Sequence, residues 1–527
     1  MLPPPAIRGL FRTDRRARAA YAEGAGIYRI LPAAVCVPAD SEDVASVMHW
    51  AATHNVSLVP RGAGSAMGGG NVGEGVILDL TALPHRLELD AARRLVRTSA
   101  AVRVAELNFA ADAAGLRLPP DPSSGAWATV GGVVSTNAAG ARSVRYGSMR
   151  RWVEAVELVT AEGELVELRR SSRPVARVLA RFEAEAAPLI QAASDEIAAR
   201  FPRTRKNSSG YALDHYLATG DPLDLVIGAE GTLGAITAVE WRLDDVPAAR
   251  GGLKVSLRSL DALAEVVAAL LRSDPSAVEL LDRTFLEMVG EGGAEAVILV
   301  ELERATPQEV RAAVAAAAKL VRPWASGVDT ALTADAAQRL WSLRHAASPI
   351  LAGLPEERRS LQVIEDACVP VERMGEYVRA VRESAAARGI PVVIFGHAGD
   401  GHVHVNLLPR VTDPGWEASV AILLEEVTDV VVALGGTPSG EHGDGRLRAA
   451  LLPRIYGPNI VALFERVKRS FDPVGILNPG IILPSGEPPV SRLKVGSQAI
   501  PLPDDIGSGL RRIEQKAGYA RNRLELA

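Results

Sequence analysis

The stretch "NVSLVPRGAGSAMGGGNVGEGVILDL", residues 55–80, carries the reading of the fold. Its branched residues in "VSLVP" and "GVILDL" predict two short strands bounded by turn formers. Between them, Arg61 to Gly70 offers successive backbone amides with almost no side-chain bulk, a chain able to form a concave nest around a pyrophosphate. Gly62 and Gly64 fit the start of GxGxxG, but Met67 stands at its third glycine. The second strand resumes at Val76, which leaves no room for the crossover helix of a βαβ unit. Phosphate is therefore expected on a loop; a plain surface turn is the alternative.

Two further segments favour the loop. Residues 118–150, "LPPDPSSGAWATVGGVVSTNAAGARSVRYGSMR", place Gly131, Gly132, Ala138, Ala139 and Gly140 among hydroxyl and amide side chains. Residues 225–243, "LVIGAEGTLGAITAVEWRL", repeat the device with Gly228, Gly231 and Gly234. Small residues at these positions let backbone approach a large flat ligand.

Elsewhere "DSEDVASVMHWAATHN" predicts a helix capped by Asp40 or Ser41, and "VEAVELVTAEGELVEL" two strands joined by a hairpin turn. "DLVIGA" also reads as a strand. Mixed parallel and antiparallel sheets with helices, an α+β class, fit this order better than clean βαβ alternation. From about residue 250 the texture changes to alanine-rich helical patterns, "SLDALAEVVAALLRS" and "TPQEVRAAVAAAAKLV", alternating with strands "GLKVSL" and "EAVILVEL". The polar, proline-rich residues 486–527 suggest a surface tail.

Composition narrows the function. With 48% hydrophobic residues among 527, the chain can bury ample core over two or three domains. A net charge of -5 gives no basic surface for nucleic acid. Cys36 and Cys368, its only cysteines, cannot supply a disulfide framework, a thiolate zinc site or an iron-sulfur cluster. No apolar leader and no run of 18 apolar residues is seen, so a cytoplasmic protein without a membrane span is expected.

"FGHAGDGHVHVNLLPR", residues 395–410, spends three of nine histidines on eight positions. In extended chain His402 and His404 share a face, and "GDG" permits a turn that brings His397 beside them. "SGEHGDG" adds Glu441 and His442. Two imidazoles and a carboxylate suit a divalent ion with open positions. A lone histidine is more often a hydrogen-bonded core residue; three with an EH pair reverse that weighting.

In "PRGAGSAMGGG", "PPDPSSGAWATVGGVVSTNAAG", "RYGSMR", "KNSSGYALDHYL", "GAEGTLGAIT", "GHAGDGHVHVN", "SGEHGDG" and "FDPVGILNPG", the chain resembles the flavin-linked oxidases and dehydrogenases of the vanillyl-alcohol oxidase type, from about residue 30 to 485. Within them it is most similar to the D-2-hydroxyacid dehydrogenases: glycolate oxidase flavin subunit, D-lactate dehydrogenase and D-2-hydroxyglutarate dehydrogenase. The resemblance implies an N-terminal arm (1–29), a two-part FAD-binding domain (30–247), a ferredoxin-like antiparallel cap for substrate (248–440), a helical return completing both sites (441–485) and the tail. It implies non-covalent FAD: Arg61, Gly62, Ala63, Gly64 and Ser65 cradle the pyrophosphate, and no histidine or cysteine lies in residues 58–75 to tether the ring. Asp121, Val130, Gly131, Gly132, Ser135, Asn137, Gly140, Glu230, Gly231, Thr232, Gly234, Ile236 and Asn478 complete the cofactor wall.

The same resemblance makes His397, His404 and Glu441 ligands of a divalent metal, zinc first with manganese or iron as alternatives, and His442 the general base. Arg344 grips the substrate carboxylate, Ser348 and Asn406 are polar contacts, and Arg448 is a weaker second cation. Two positions depart from the pattern: His402 replaces an asparagine and is expected either to join or distort the ion site or to stand behind it, and Ile364 stands where some relatives carry a substrate lysine, which weakens recognition of a long dicarboxylate. The nearest pattern is the flavoprotein part of bacterial FAD/iron-sulfur fusions, yet cysteine ligands are lacking here. Electrons are thus expected to leave to a separate iron-sulfur subunit, a quinone or an electron-transfer protein; a homodimer is the assembly considered. The rival readings are a metal-dependent hydrolase and a non-catalytic flavin-binding protein.

Overall fold

The computed structural model describes residues 3–527. Strand Leu58–Arg61 lies parallel to Val76–Asp79, which is parallel in turn to Ala34–Val37, and Leu10–Arg12 closes this sheet antiparallel. Two neighbouring parallel strands are thus joined by the glycine-rich loop alone, where a βαβ unit would use a helix. Helix Ser41–His54 forms where its cap predicts: Asp40 accepts from the amides of Glu42 and Asp43, and Val44, Val47, Met48 and Ala51 make the buried face.

A second sheet of five antiparallel strands follows, in the order Leu87–Asp90, Leu95–Ser99, Ala235–Arg242, Val153–Val159, Leu165–Arg169. The last two are the hairpin around "TAEGEL". The strand read from "DLVIGA" is absent; Leu223–Val226 is a helical turn. The Asp221 carboxylate and carbonyl accept from the amides of Leu223 and Asp224, and the fixed φ of Pro222 suits a helix start, so the local cap outweighs the branched residues.

The cap is a six-stranded antiparallel sheet, ordered Ala325–Ala331, Ala249–Leu257, Ala296–Arg304, Ala277–Asp282, Val392–Gly396, His404–Leu407. Helices Leu263–Leu271 and Pro307–Val321 cover it; Thr306 and Glu309 form the capping box of the second. Its core, including Leu253, Ile298, Val300 and Leu423, is separate from that of the N-terminal sheets. The chain then returns. Phe471, Tyr456 and Phe464 pack against Phe182, Phe201 and Tyr211 of the first core, with ring centroids 5.7, 5.0 and 5.6 Å apart.

Residues 486–527 do not form the surface tail their composition suggests. Helix Asp504–Gln515 buries Ile506, Leu510 and Ile513, and the first two pack against Tyr21, Val35 and Ile77. The i, i+4, i+7 spacing of those three apolar residues is a helical signal masked by the prolines before it. Among the described residues, no helix is long and apolar enough to cross a membrane.

Candidate active site

A cavity of about 1030 Å³ runs from the first glycine loop to the histidine cluster. Arg61, Gly62, Ala63, Gly64, Ser65, Asp121, Gly131, Gly132, Ser135, Glu230, Gly231, Gly234 and Ile236 line one part; Arg344, Ser348, His397, His404, Asn406, Glu441 and His442 line the other. Five expected wall residues stand behind it. Val130 opens helix Val130–Ser135, and Thr232 is taken up by Ala229 O and Tyr211. Asn137 accepts from Arg150 N, and Gly140 N–H donates to Glu441 Oε2 at 2.8 Å. Asn478 donates to Gly70 O and Glu230 O, tying the C-terminal return to two glycine loops.

The cluster is built from strand register. His404 begins strand His404–Leu407 opposite Phe395, and Gly401, at φ 72° with its Cβ position 2.0 Å from Val369 O, makes the turn that returns the chain beside His397. His397 Nδ1 faces Glu279 Oε1 at 2.6 Å, and His404 Nδ1 faces Glu365 O at 3.1 Å. With no cation bound, burial works against a charged His397, but Glu279 and Glu441 outweigh it and raise its pKa; with one bound, protons on both Nδ1 atoms would turn both Nε2 lone pairs inward. There His397 Nε2, His404 Nε2 and Glu441 Oε1 lie 3.0, 3.4 and 3.5 Å apart. A tetrahedral ion with bonds of about 2.0–2.1 Å has ligand-to-ligand edges of about 3.3–3.4 Å, so this donor set fits one.

Charges around these donors are paired from several elements. Burial raises the carboxyl of Glu441, but Lys206, 2.8 Å from its Oε2, and His397 outweigh it and hold it well below the usual range. Glu279 is likewise held at about 2 by His397 and Arg344 against its burial. His402 does not join the donors. Its Nε2 sits 2.9 Å from Asp366 Oδ1 and its Nδ1 3.4 Å from Lys206, and burial with Lys206 pushes it down to about 3, so it stays neutral. His442 is the most exposed of the cluster, at 27%, and stacks on His404 with centroids 5.2 Å apart. Its Nδ1 lies 2.8 Å from Glu365 Oε2. Burial works against an imidazolium there, but Asp366 and Glu365 outweigh it and hold His442 protonated up to about 10.

Arg344 is buried, pairs Nε with Glu279 Oε2 at 2.7 Å, and sits 4.8 Å over the Phe395 ring, which leaves its terminal nitrogens toward the cavity. Arg448 is spent on Glu365 and Gly443 O and does not line the cavity. On the cofactor wall, burial and Asp444 push the Glu230 carboxyl up to about 8. Sequence reasoning gave no role to Lys206, Glu279, Glu365 or Asp366. Lys206 opens the quoted motif "KNSSGYALDHYL" and the Glu365–Asp366 pair directly follows Ile364, whereas Glu279 is signalled only by being an acid within the apolar strand Ala277–Asp282.

A two-part α+β unit whose glycine-lined cavity continues under an antiparallel cap is the architecture of a flavin-dependent oxidoreductase. Residues 32–169 match the FAD binding domain and residues 246–482 the C-terminal domain of FAD linked oxidases. The chain belongs to this family of FAD-linked oxidases and dehydrogenases. It is 31% identical to the D-lactate dehydrogenase of Archaeoglobus fulgidus over 85% of this chain and 91% of that protein. It is 28% identical to the glycolate oxidase subunit GlcD of Bacillus subtilis, over 86% of this chain and 89% of that one. The 4-ethylphenol oxidase of Gulosibacter chungangensis shares the fold, with a TM-score of 0.64 at 15% identity, covering 90% of this chain and 94% of that chain.

Proposed function

We propose that this protein oxidises a D-2-hydroxyacid of the lactate, glycolate or 2-hydroxyglutarate type to the 2-oxoacid. The observation that carries the reading is the single cavity joining the FAD-binding loops to Arg344 and the His397, His404, Glu441 and His442 cluster. When bound, FAD supplies a two-electron hydride acceptor, and a divalent cation at His397, His404 and Glu441 supplies a Lewis acid.

The chain's own residues then orient and deprotonate. Arg344 offers its free guanidinium edge to the substrate carboxylate, and Asn406, with Ser348 at the same end, offers polar contacts that fix C2. His442, on the open side of the cluster, takes the hydroxyl proton, while Glu365 at Nδ1 fixes which nitrogen faces substrate. Lys206 and Gly140 N–H hold one oxygen of Glu441 and leave the other for the cation. Of the three cavity arginines, Arg344 has terminal nitrogens to spare, since Arg142 is committed to Glu301 and Asp121 and Arg61 to backbone carbonyls at the glycine loop; with Ile364 at the expected lysine position, this supports a monocarboxylate.

Hydrolysis would leave three cavity-lining glycine segments without a role. Anaerobic bleaching of the flavin against a panel of D- and L-2-hydroxyacids, before and after metal chelation, tests the proposal. Bleaching by a short D-acid that chelation slows to a small residual rate and zinc or manganese restores is the expected result; no bleaching by any hydroxyacid sinks it.

A further inference from the structure

Two buried arginines, Arg61 at the start of the first glycine loop and Arg523 near the C-terminus, lack an anionic partner. Arg61 is 2% exposed, and its guanidinium bonds only carbonyls: Tyr21 O at 3.3 Å, Asn71 O at 3.1 Å and Glu23 O at 2.8 Å. Arg523 enters from the last turn, Arg523–Leu526; it is 4% exposed, and its Nε and Nη1 have no hydrogen-bond partner. Among the described residues neither has a carboxylate within 4.0 Å. Burial, then the charge of Arg61, lowers Arg523 to about 10. Asp79 acts on both but already accepts from Tyr21 OH and from Thr81. Unpaired buried charge of one sign is costly, and the cost is relieved by an anion placed between the charges.

The segment bearing Arg523 also forms cavity wall. Glu514, Gln515, Lys516, Ala517 and Tyr519 line it, the Glu514 carboxylate being paired with Arg359 and Lys494, although the matched family segments end at residue 482. Tyr519 stands 6.1 Å from Trp127 across the wall and carries Arg523 over its ring at 5.4 Å. Lys516 has no carboxylate within 4.0 Å among the described residues. The segment is docked to both halves: Arg16 binds Asp505 at 2.5 Å on the N-terminal side, while Arg511 reaches Leu354 O at 2.8 Å and Glu514 pairs with Arg359 on the cap side.

We propose that the C-terminal segment 504–527 is part of the cofactor site: Lys516 on the cavity wall and Arg61 on the first glycine loop supply positive charge towards the dinucleotide pyrophosphate, Tyr519 closes the wall beside Trp127, and Arg523, buried behind Tyr519 and outside the cavity lining, adds its charge from the second layer. The proposal rests on FAD as the resident cofactor. Its test is titration of full-length apoprotein with FAD, followed by fluorescence quenching at two salt concentrations, with melting temperatures recorded for apo and loaded protein. The Lys516→Gln/Arg523→Gln double variant is expected to raise the FAD Kd at least tenfold and to flatten its salt dependence. The exposed Arg521→Gln control should match wild type. Arg523→Gln should melt higher than wild type as apoprotein and gain less on FAD addition. A merely structural arginine would instead lower both melting temperatures, and that result overturns the proposal, as does an unchanged FAD Kd in the double variant. Wild-type protein that takes up no FAD overturns the flavin reading itself, a failure distinguishable from either.

Discussion

Lys206 and Glu441 meet as a buried ion pair, Nζ to Oε2 at 2.8 Å, although 235 residues separate them. The same carboxylate turns its other oxygen to His397 Nε2 at 3.0 Å. Lys206 thus sets which Glu441 oxygen is offered to a cation. Lys206→Met should lower zinc affinity about 10–100-fold, the usual cost of losing a partner that orients a metal ligand. Chelator competition measures this, and flavin content should stay at the wild-type level.

His442→Ala should retain FAD and slow flavin reduction by about 10²–10⁴-fold, the range expected for losing a positioned base. Stopped-flow absorbance under anaerobic conditions reads it. A base must first lose its proton, and His442 holds one up to about 10 because Asp366 and Glu365 outweigh burial. In chelated enzyme, residual reduction should therefore rise with pH towards that value. Glu365→Gln removes one of the two anions, so the rising limb should move to lower pH.

Arg344→Met should weaken substrate binding about 10–100-fold, since a hydrogen bond to a charged group is worth about 1.5–3 kcal/mol. Saturation of anaerobic bleaching gives the apparent Kd. Arg344→Lys should recover only part of the loss, because an ammonium cannot bond Glu279 and grip a carboxylate with one planar fork.

Acid should release the C-terminal helix. The Glu514 carboxyl titrates at about 2 rather than 4.5, since Lys494 and Arg359 overcome its burial. The unfolded chain takes up this proton near 4.5 and the native chain only near 2, so the stability Glu514 contributes is full above 4.5 and disappears as pH falls towards 2. Glu514→Gln should be destabilised at pH 7 and should lose less stability than wild type between pH 5 and about 3. Denaturant melts at each pH compare them.

Gly401→Ala should cost about 1–3 kcal/mol, because the residue sits in the left-handed region and the new methyl meets a carbonyl. Its Cβ position lies 2.0 Å from Val369 O. The melting temperature should fall, and zinc affinity with it, since this turn seats His402 and His404 beside His397.

Much of the site was legible in the primary structure because it rests on local geometry. Alternation along a strand and one glycine turn bring His397, His402 and His404 together, with ring centroids 4.7–5.4 Å apart. Runs of small residues announce an amide-lined loop wherever they occur. The partners of those residues were not legible. Glu279 reaches His397 because Leu280 pairs with Gly396 in the sheet, a register that no local pattern around residue 279 encodes.

Residue order alone determined the α+β class, the loop in place of a crossover helix, the family, and the residues that converge at the histidine cluster. Tertiary structure decided which oxygen of Glu441 is free, that His402 is bound to Asp366 and Lys206, that Asn478 and Thr232 stand behind the cavity wall, and that residues 504–527 include a packed helix whose end lines the cavity from Glu514 to Ala517. The division has a physical cause. Backbone conformation and side-chain periodicity are set over a few residues, whereas the burial and pairing of a charge depend on which distant segments pack against it.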